Sequence, residues 1–127
     1  MKREIYGMFF NGALLQGSNN KIFTKEMNAE SISLNNRKRK YDLFIRQLQP
    51  TSDNKILDVG FSNEEWLSGD NYLEKHYPYP HRITALGVCA FDLFQKRYPQ
   101  VTAVRYDGKI FPFPDNSFEI GWSNAVI

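Results

Sequence analysis

Cysteine and histidine are scarce in this sequence, and their scarcity excludes several kinds of protein. Among 127 residues there is one cysteine, Cys89, and there are two histidines, His76 and His81. A single cysteine cannot build a disulfide framework, and no cysteine–histidine cluster has the spacing of a zinc site. We therefore expect a protein of the reducing cytoplasm, without a metal site.

Long apolar runs and a strong net charge are also missing. No stretch approaches the roughly 20 apolar residues of a membrane span. The apolar segment 5–15 is broken by Gly7, Asn11 and Gly12, and no small-residue cleavage site follows, which argues against a signal peptide. The net charge is only +2, and the single basic run, 37–40, is typical of a solvated helix face. We expect neither a membrane nor a nucleic acid as a partner.

The chain divides into an N-terminal segment, 1–34, and a more regular domain, 35–127. In the first segment, Asn11-Gly12 separates two short apolar runs and is the usual dipeptide of a tight hairpin turn. A flexible arm or a lid fits the same composition. Hydrophobic residues make up 42% of the whole chain and charged residues 24%, which is the balance of a globular protein with a real core.

From residue 35 onward, helical and strand patterns alternate. A helix that ends before Pro50 has one apolar face, and Asn71 with Glu74 fits the capping box of a second helix. A third helix is predicted over 90–98, with Phe91, Phe94 and Tyr98 on one face. The apolar face of the first helix consists of Tyr41, Phe44, Ile45 and Leu48, and the predicted strands are 56–59, 83–88, 101–106 and 118–127.

This alternation is typical of an α/β domain with a parallel sheet. Ligands of such sheets bind at the carboxyl ends of the strands, close to the point where the strand order reverses. The short segments that follow the strands are therefore the candidate binding residues. They are residues 60–62, 88–89, 107–108 and 123–124.

Three stretches of the sequence resemble the class I S-adenosylmethionine-dependent methyltransferases, in particular the type 11-like domain. They are Ile-Leu-Asp-Val-Gly at 56–60, Tyr-Asp-Gly at 106–108, and Phe-Pro-Phe-Pro-Asp-Asn-Ser-Phe-Glu-Ile at 111–120. The resemblance extends over 36–127 and implies a three-layer, Rossmann-like fold with a parallel sheet. The family's domain continues through three further strands, so the resemblance corresponds to its N-terminal half, truncated after the fourth strand.

The resemblance also implies a set of cofactor-binding residues. Asp58 and Gly60 would begin the loop whose backbone meets the methionine end of the cofactor. Asp107 would accept a hydrogen bond from the adenine amino group, and Gly108 would allow close approach of the backbone. Ser123 would lie beneath the cofactor. The whole set is Asp58, Gly60, Phe61, Ser62, Cys89, Asp107, Gly108 and Ser123.

Two features depart from the family's pattern, the glycine-rich loop and the end of the second strand. The later glycines of the first loop are replaced by Ser62 and Glu64, and Cys89 stands where an acidic residue usually binds the ribose hydroxyls. A lost carboxylate–diol hydrogen bond costs about 1.5–3 kcal/mol.

The resemblance implies methyl transfer from S-adenosylmethionine to a small molecule or a sugar, with no catalytic residue assigned. The alternative is a non-catalytic, degenerate domain that acts in protein interaction or regulation. A dinucleotide-dependent oxidoreductase is disfavoured, because no Gly-x-Gly-x-x-Gly follows the first strand of the domain. We also expect the fourth strand to be an exposed edge through which the chain pairs with a second copy.

Overall fold

The computed structural model describes residues 4–6, for which it gives the backbone, and residues 29–124. The described part contains five strands, three α-helices and one short 3-10 helix, Pro80–Arg82. In chain order the α-helices and strands are β1 (Glu4–Tyr6), α1 (Ala29–Leu48), β2 (Ile56–Val59), α2 (Tyr72–His76), β3 (Ile83–Gly87), α3 (Asp92–Arg97), β4 (Thr102–Arg105) and β5 (Ile120–Ser123).

The strands form one parallel sheet in the order β1-β5-β2-β3-β4. From β2 the chain builds outward through β3 and β4, and then crosses back to place β5 on the other side of β2. The strand order therefore reverses between β2 and β5, where the register aligns Val59 with Ser123. An α/β fold with a parallel sheet is confirmed, and the carboxyl ends of β2 and β5 are its topological switch point.

The predicted helix faces pack as the apolar periodicity indicates. Phe44 of α1 is buried against Trp122 of β5, with ring centroids 5.1 Å apart. Phe94 of α3 is fully buried, and Phe91 and Tyr98 pack against the same core. The aromatic side chains of both helices belong to one continuous cluster with buried side chains of the sheet, and this cluster joins the helices to the sheet.

Several predicted boundaries shift. α1 begins at Ala29, so the boundary between residues 34 and 35 falls within this helix. The proposed hairpin around Asn11-Gly12 lies outside the described residues. The strand predicted over 118–127 is regular only at Ile120–Ser123, and residues 125–127 again lie outside the described part.

The prediction that this fourth strand is an exposed edge is wrong. β1 pairs in parallel with β5, with Glu4 aligned to Ile120 and Tyr6 to Trp122, while β2 pairs with its other side. The periodic pattern of residues 35–127 could not reveal this, because the covering strand comes from the N-terminal segment. Self-association through β5 therefore loses the open edge on which it was predicted, and stays a prediction without that support.

Candidate functional site

A small polar cavity lies at the switch point between β2 and β5. Its volume is about 30 Å³, enough for a water molecule or a group of similar size. Its lining is mainly polar and comes from the ends of both strands, from α1 and α2, and from the loop that joins β2 to α2. We call it the switch-point cavity; its lining residues are Arg37, Asp58, Gly60, Ser62, Asp70, Asn71, Tyr72, Leu73, Trp122 and Asn124.

Asn71 fastens the loop that borders this cavity. Its side-chain Oδ1 accepts a hydrogen bond from the Ser62 backbone N–H at 2.8 Å, and its Nδ2 donates to the Ser62 carbonyl at 2.8 Å. The side chain thus makes the pair of bonds that a neighbouring strand would make. The prediction that Asn71 caps α2 is wrong in this respect: it occupies the N-cap position with φ 51°, but its side chain makes no cap bond.

Glu65 ties the same loop to two helices. Its carboxylate accepts hydrogen bonds from Asn71 Nδ2 and from the Tyr98 hydroxyl, and it forms an ion pair with Lys75 at 3.4 Å. Burial and the Glu65 carboxylate raise the pKa of Tyr98, which keeps this phenol protonated as a donor. The loop is therefore held in one conformation by hydrogen bonds from both of its ends.

A cation reaches the cavity from α1. The Arg37 side chain lies across Gly69, where an added Cβ would come within 2.9 Å of its guanidinium nitrogen. Arg37 contacts Asp70 Oδ1 at 3.5 Å, while Asp70 Oδ2 accepts the N–H groups of Trp66 and Leu67. These bonds lower the pKa of the Asp70 carboxyl against the opposing effect of burial. Among the described residues Asp70 is the one hydrogen-bond partner of the Arg37 guanidinium, so within this part of the chain further donors are available to the cavity.

Two carboxyl groups are buried together beneath the cavity. Asp58 at the third position of β2 is 3% exposed, and Glu74 of α2 is 5% exposed. The two groups are close enough to share a hydrogen bond, and burial raises the pKa of both, with the Glu74 charge raising that of Asp58 further. Two adjacent buried carboxylates repel each other strongly, so this arrangement favours one proton shared by the pair.

Phe61 connects the first loop to the centre of the sheet. Its ring is buried, packs on Phe94 with centroids 4.4 Å apart, and covers Gly87. A Cβ at Gly87 would come within 2.7 Å of this ring, so only glycine leaves room for it. The Phe61 side chain therefore belongs to the core, and only its backbone faces the end of the sheet.

A second group of residues lies at the ends of β3 and β4. We call it the open corner; it consists of the predicted residues Val88, Cys89, Asp107 and Gly108 together with Ile110. Gly108 has φ 85°, and a Cβ on it would lie 3.3 Å from Val88. Asp107 Oδ1 accepts the N–H groups of Lys109 and Ile110, which lowers the pKa of its carboxyl. Val88 and Ile110 are 58% and 76% exposed, so apolar surface faces solvent here.

The structure divides the predicted set among the switch-point cavity, the open corner and the core. Gly60, with φ 92°, lines the switch-point cavity together with Asp58 and Ser62. Ser123 is close by, because its hydroxyl donates to the Val59 carbonyl at 3.2 Å. The other members lie elsewhere: Phe61 in the core, and Cys89, Asp107 and Gly108 at the open corner.

Sequence reasoning missed four polar or charged residues of the switch-point cavity and its surroundings: Arg37, Asp70, Asn71 and Glu74. Arg37 looked like one cation in a solvated run, and Glu74 looked like a capping residue. Asn71 was noticed, but for another role, and Asn124 was noticed only as part of a segment after a strand. The sequence offered one signal for this site: Glu74 is an acidic residue on the side of its helix that faces the protein interior.

Three comparisons with known proteins add no relative. No protein-family model, no curated protein and no solved structure matches the chain. Within residues 29–124, no helix is long and apolar enough to cross a membrane, and no three histidine, cysteine or acidic side chains gather as metal ligands would.

Proposed function

We propose that this chain binds S-adenosylmethionine and forms the cofactor-binding part of a methyltransferase that acts on a small-molecule or sugar acceptor. The observation that carries the proposal is the position of two glycines. Gly60 follows β2 and Gly108 follows β4, both with positive φ and both at the carboxyl edge of the sheet. They are the glycines of the Asp-Val-Gly and Tyr-Asp-Gly segments that resemble the family.

The chemistry of the two places suits the two ends of this cofactor. S-adenosylmethionine joins a zwitterionic amino acid to a nucleoside. The switch-point cavity offers charged and amide groups, whereas the open corner offers exposed apolar side chains and the Asp107 carboxylate. β2 and β4 are separated by one strand, so their ends lie about 10 Å apart. A nucleoside joined to an amino acid can bridge such a span.

When bound, the cofactor supplies a methyl group on a sulfonium, which needs no activation by the protein. The chain's own contribution is to bind and orient: Gly60 and Gly108 allow close approach, and Asp107 accepts the adenine amino group. Methyl transfer depends mainly on placing the acceptor in line with that methyl group. No described residue is assigned as a catalytic base.

Asp107 provides the sharpest test of the nucleoside end. Asp107→Asn keeps Oδ1 for the N–H groups of Lys109 and Ile110 and turns the second acceptor into a donor, opposite the donor of adenine. We expect calorimetric titration to show one-to-one binding of S-adenosylhomocysteine to the natural chain. Binding should weaken by about 10-fold or more in Asp107→Asn, because one hydrogen bond to a charged group is lost.

Two further variants complete this test. Asp107→Ala removes both acceptors, so it disorders the loop as well and should bind no better than Asp107→Asn. Asp53→Ala, before β2 at the opposite end of the sheet, should bind as the natural chain does. Equal affinity of the natural chain and Asp107→Asn would contradict the proposed role of Asp107.

One observation favours the alternative, a non-catalytic domain of this fold. The backbone N–H groups of the first loop are already used inside the chain: Gly60 N–H donates to the Leu86 carbonyl at 2.7 Å, and Ser62 N–H donates to Asn71. Donors that a cofactor would need are thereby satisfied. Failure of the folded chain to bind S-adenosylhomocysteine at millimolar concentration would reject the methyltransferase proposal and favour a role in interaction or regulation.

A further inference from the structure

The switch-point cavity contains acceptors without donors. Asp58 and Asn124 both line it, and Asp58 Oδ1 and Asn124 Oδ1 are buried without a hydrogen-bond partner in the described part of the chain. A buried acceptor without a donor destabilises the folded chain. Two of them on one cavity indicate a site built for a donor that comes from outside the chain.

The size and charge of the cavity identify that donor. About 30 Å³ is enough for a group as small as an ammonium. An ammonium carries three donors and a positive charge, which matches amide and carboxylate oxygens at the ends of two adjacent strands. Arg37, at the border of the cavity, supplies the partner for a carboxylate that lies beside that ammonium and outside the cavity.

We propose that the switch-point cavity binds the α-ammonium group of an amino-acid ligand through Asp58 and Asn124, and that this binding expels the proton shared by Asp58 and Glu74. The proposal rests on the proposed function, since the amino acid in question is the methionine end of the cofactor. It adds that cofactor binding is coupled to proton release.

The proton is released because ligand binding removes the repulsion between the two carboxylates that had favoured it. Without ligand, Asp58 and Glu74 lie together in a buried place, and one proton relieves their repulsion. The ammonium brings a full positive charge beside Asp58, so both carboxyl groups can then be ionised. The balance is simple: the ligand ammonium keeps its proton, and the pair loses one proton to solvent.

We do not expect the released proton to come from the other charged and titratable groups around the pair. Glu65 and the Tyr98 hydroxyl face Glu74 from the loop and from α3, and Glu65 further raises the pKa of Glu74. Arg37 and Asp70 face the cavity as an ion pair, and Tyr72 lines it from α2. Among these groups the Asp58–Glu74 pair is the one that combines complete burial with a raised carboxyl pKa.

The test is calorimetric titration of the full chain with S-adenosylhomocysteine at pH 6.5, in phosphate and in Tris, two buffers with different heats of ionisation. The difference in observed heat gives the number of protons released, which we expect to approach about one per ligand. Affinity should rise with pH by up to about tenfold per unit while the pair still holds its proton. Adenosine has no amino-acid end, so its binding should release no proton.

Two variants assign the proton. Glu74→Gln removes one of the two carboxyl groups and the Glu74 charge that raises the pKa of Asp58, so binding of S-adenosylhomocysteine should release fewer protons than in the natural chain. Glu64→Gln makes the same chemical change at an exposed position of the first loop and should release protons as the natural chain does. His76, whose pKa is lowered by burial, is present in every protein compared and cannot explain a difference among them.

The outcomes separate the two proposals. Binding of S-adenosylhomocysteine with the same heat in both buffers would overturn proton coupling and leave the proposed function intact. Proton release of equal size from adenosine would also overturn it, because the ammonium would then play no part. Absence of any binding by the folded chain would overturn both proposals. Should Glu74→Gln fail to fold, the buffer and adenosine comparisons on the natural chain still decide.

Discussion

The two places at the carboxyl edge of the sheet differ in how firmly the chain holds them. Around the switch-point cavity, Asn71 and Glu65 fasten the first loop, and the Phe61 ring secures it to the core. The open corner is fixed mainly by the two bonds that Asp107 accepts from its own loop, and Val88 and Ile110 face solvent. One place is polar, enclosed and rigid; the other is apolar and exposed.

In the proposed function, the two places would contribute to the binding free energy of one ligand in different ways. A preorganised polar cavity loses little entropy on binding and discriminates by charge and size. Exposed apolar side chains gain free energy when a flat base covers them, at roughly 25 cal/mol per Å² of apolar area. We therefore expect specificity to come from the switch-point cavity and much of the affinity from the open corner.

The largest expected effect is the change in the free energy of unfolding when the aromatic ring close to each place is removed. Phe61→Ala should lower the free energy of unfolding by about 3–5 kcal/mol, because the ring is buried against Phe94 and over Gly87. Phe111→Ala, near the open corner, should lower it by less than about 1 kcal/mol, because Phe111 is 40% exposed. Urea unfolding of the two variants measures both values, and similar losses would show that the two places are equally well packed.

A smaller effect is expected from Asn71, which serves the cavity both by its side chain and by its left-handed backbone. Asn71→Gly keeps the backbone conformation and loses the two bonds to Ser62 and the one to Glu65, at a cost of about 1–2 kcal/mol. Asn71→Ala adds the strain of φ 51° and should cost about 1 kcal/mol more.

The matched control for this backbone term is Asn116, which has φ 63° in an exposed loop. Asn116→Ala should lose only the backbone contribution, about 1 kcal/mol, when its thermal or urea unfolding is compared with that of the natural chain. A loss in Asn71→Ala no larger than that in Asn116→Ala would mean that the Asn71–Ser62 bonds contribute nothing to stability.

The last effect is a pH dependence of stability that belongs to the enclosed carboxyl pair and is small between any two neighbouring pH values. The folded-state pKa of Asp58 and of Glu74 is raised. Above about pH 4, the unfolded chain therefore releases a proton that the folded pair keeps, and the free energy of unfolding falls as pH rises. The slope is at most about 1.4 kcal/mol per pH unit for each proton, until the folded pair ionises as well.

Glu74→Gln should reduce this loss, because Asp58 remains buried but the second carboxyl group is gone. The stability of the variant relative to the natural chain should therefore increase from pH 4 toward neutral pH. Asp70 and Asp107 have lowered pKa values and give a slope of opposite sign, but they are common to both proteins and cancel in the difference. Unfolding in urea at a series of pH values gives that difference. A gap that stays constant or narrows with pH would contradict the shared proton.

The local sequence pattern was sufficient to predict a strand or a buried helix face where apolar periodicity alone decides which side chains face the core. β2 is found at the predicted 56–59, and the aromatic faces of α1 and α3 pack inward as predicted, because one-sided apolar spacing leaves a helix only one way to bury it. Pattern failed at Asn71 and Glu74, which fit a capping box that the structure does not form. Their actual partners, Ser62 and Asp58, come from a preceding loop and strand.

The sequence by itself determined an α/β chain with parallel strands and the segments that follow them, because period, glycines and turn residues act over a few neighbouring positions. Only the tertiary structure decided that β1 covers β5, that Arg37 and Asn124 meet at one cavity, and that Asp58 is buried against Glu74. These facts depend on which distant segments become neighbours when the sheet is assembled, and no local preference specifies that choice.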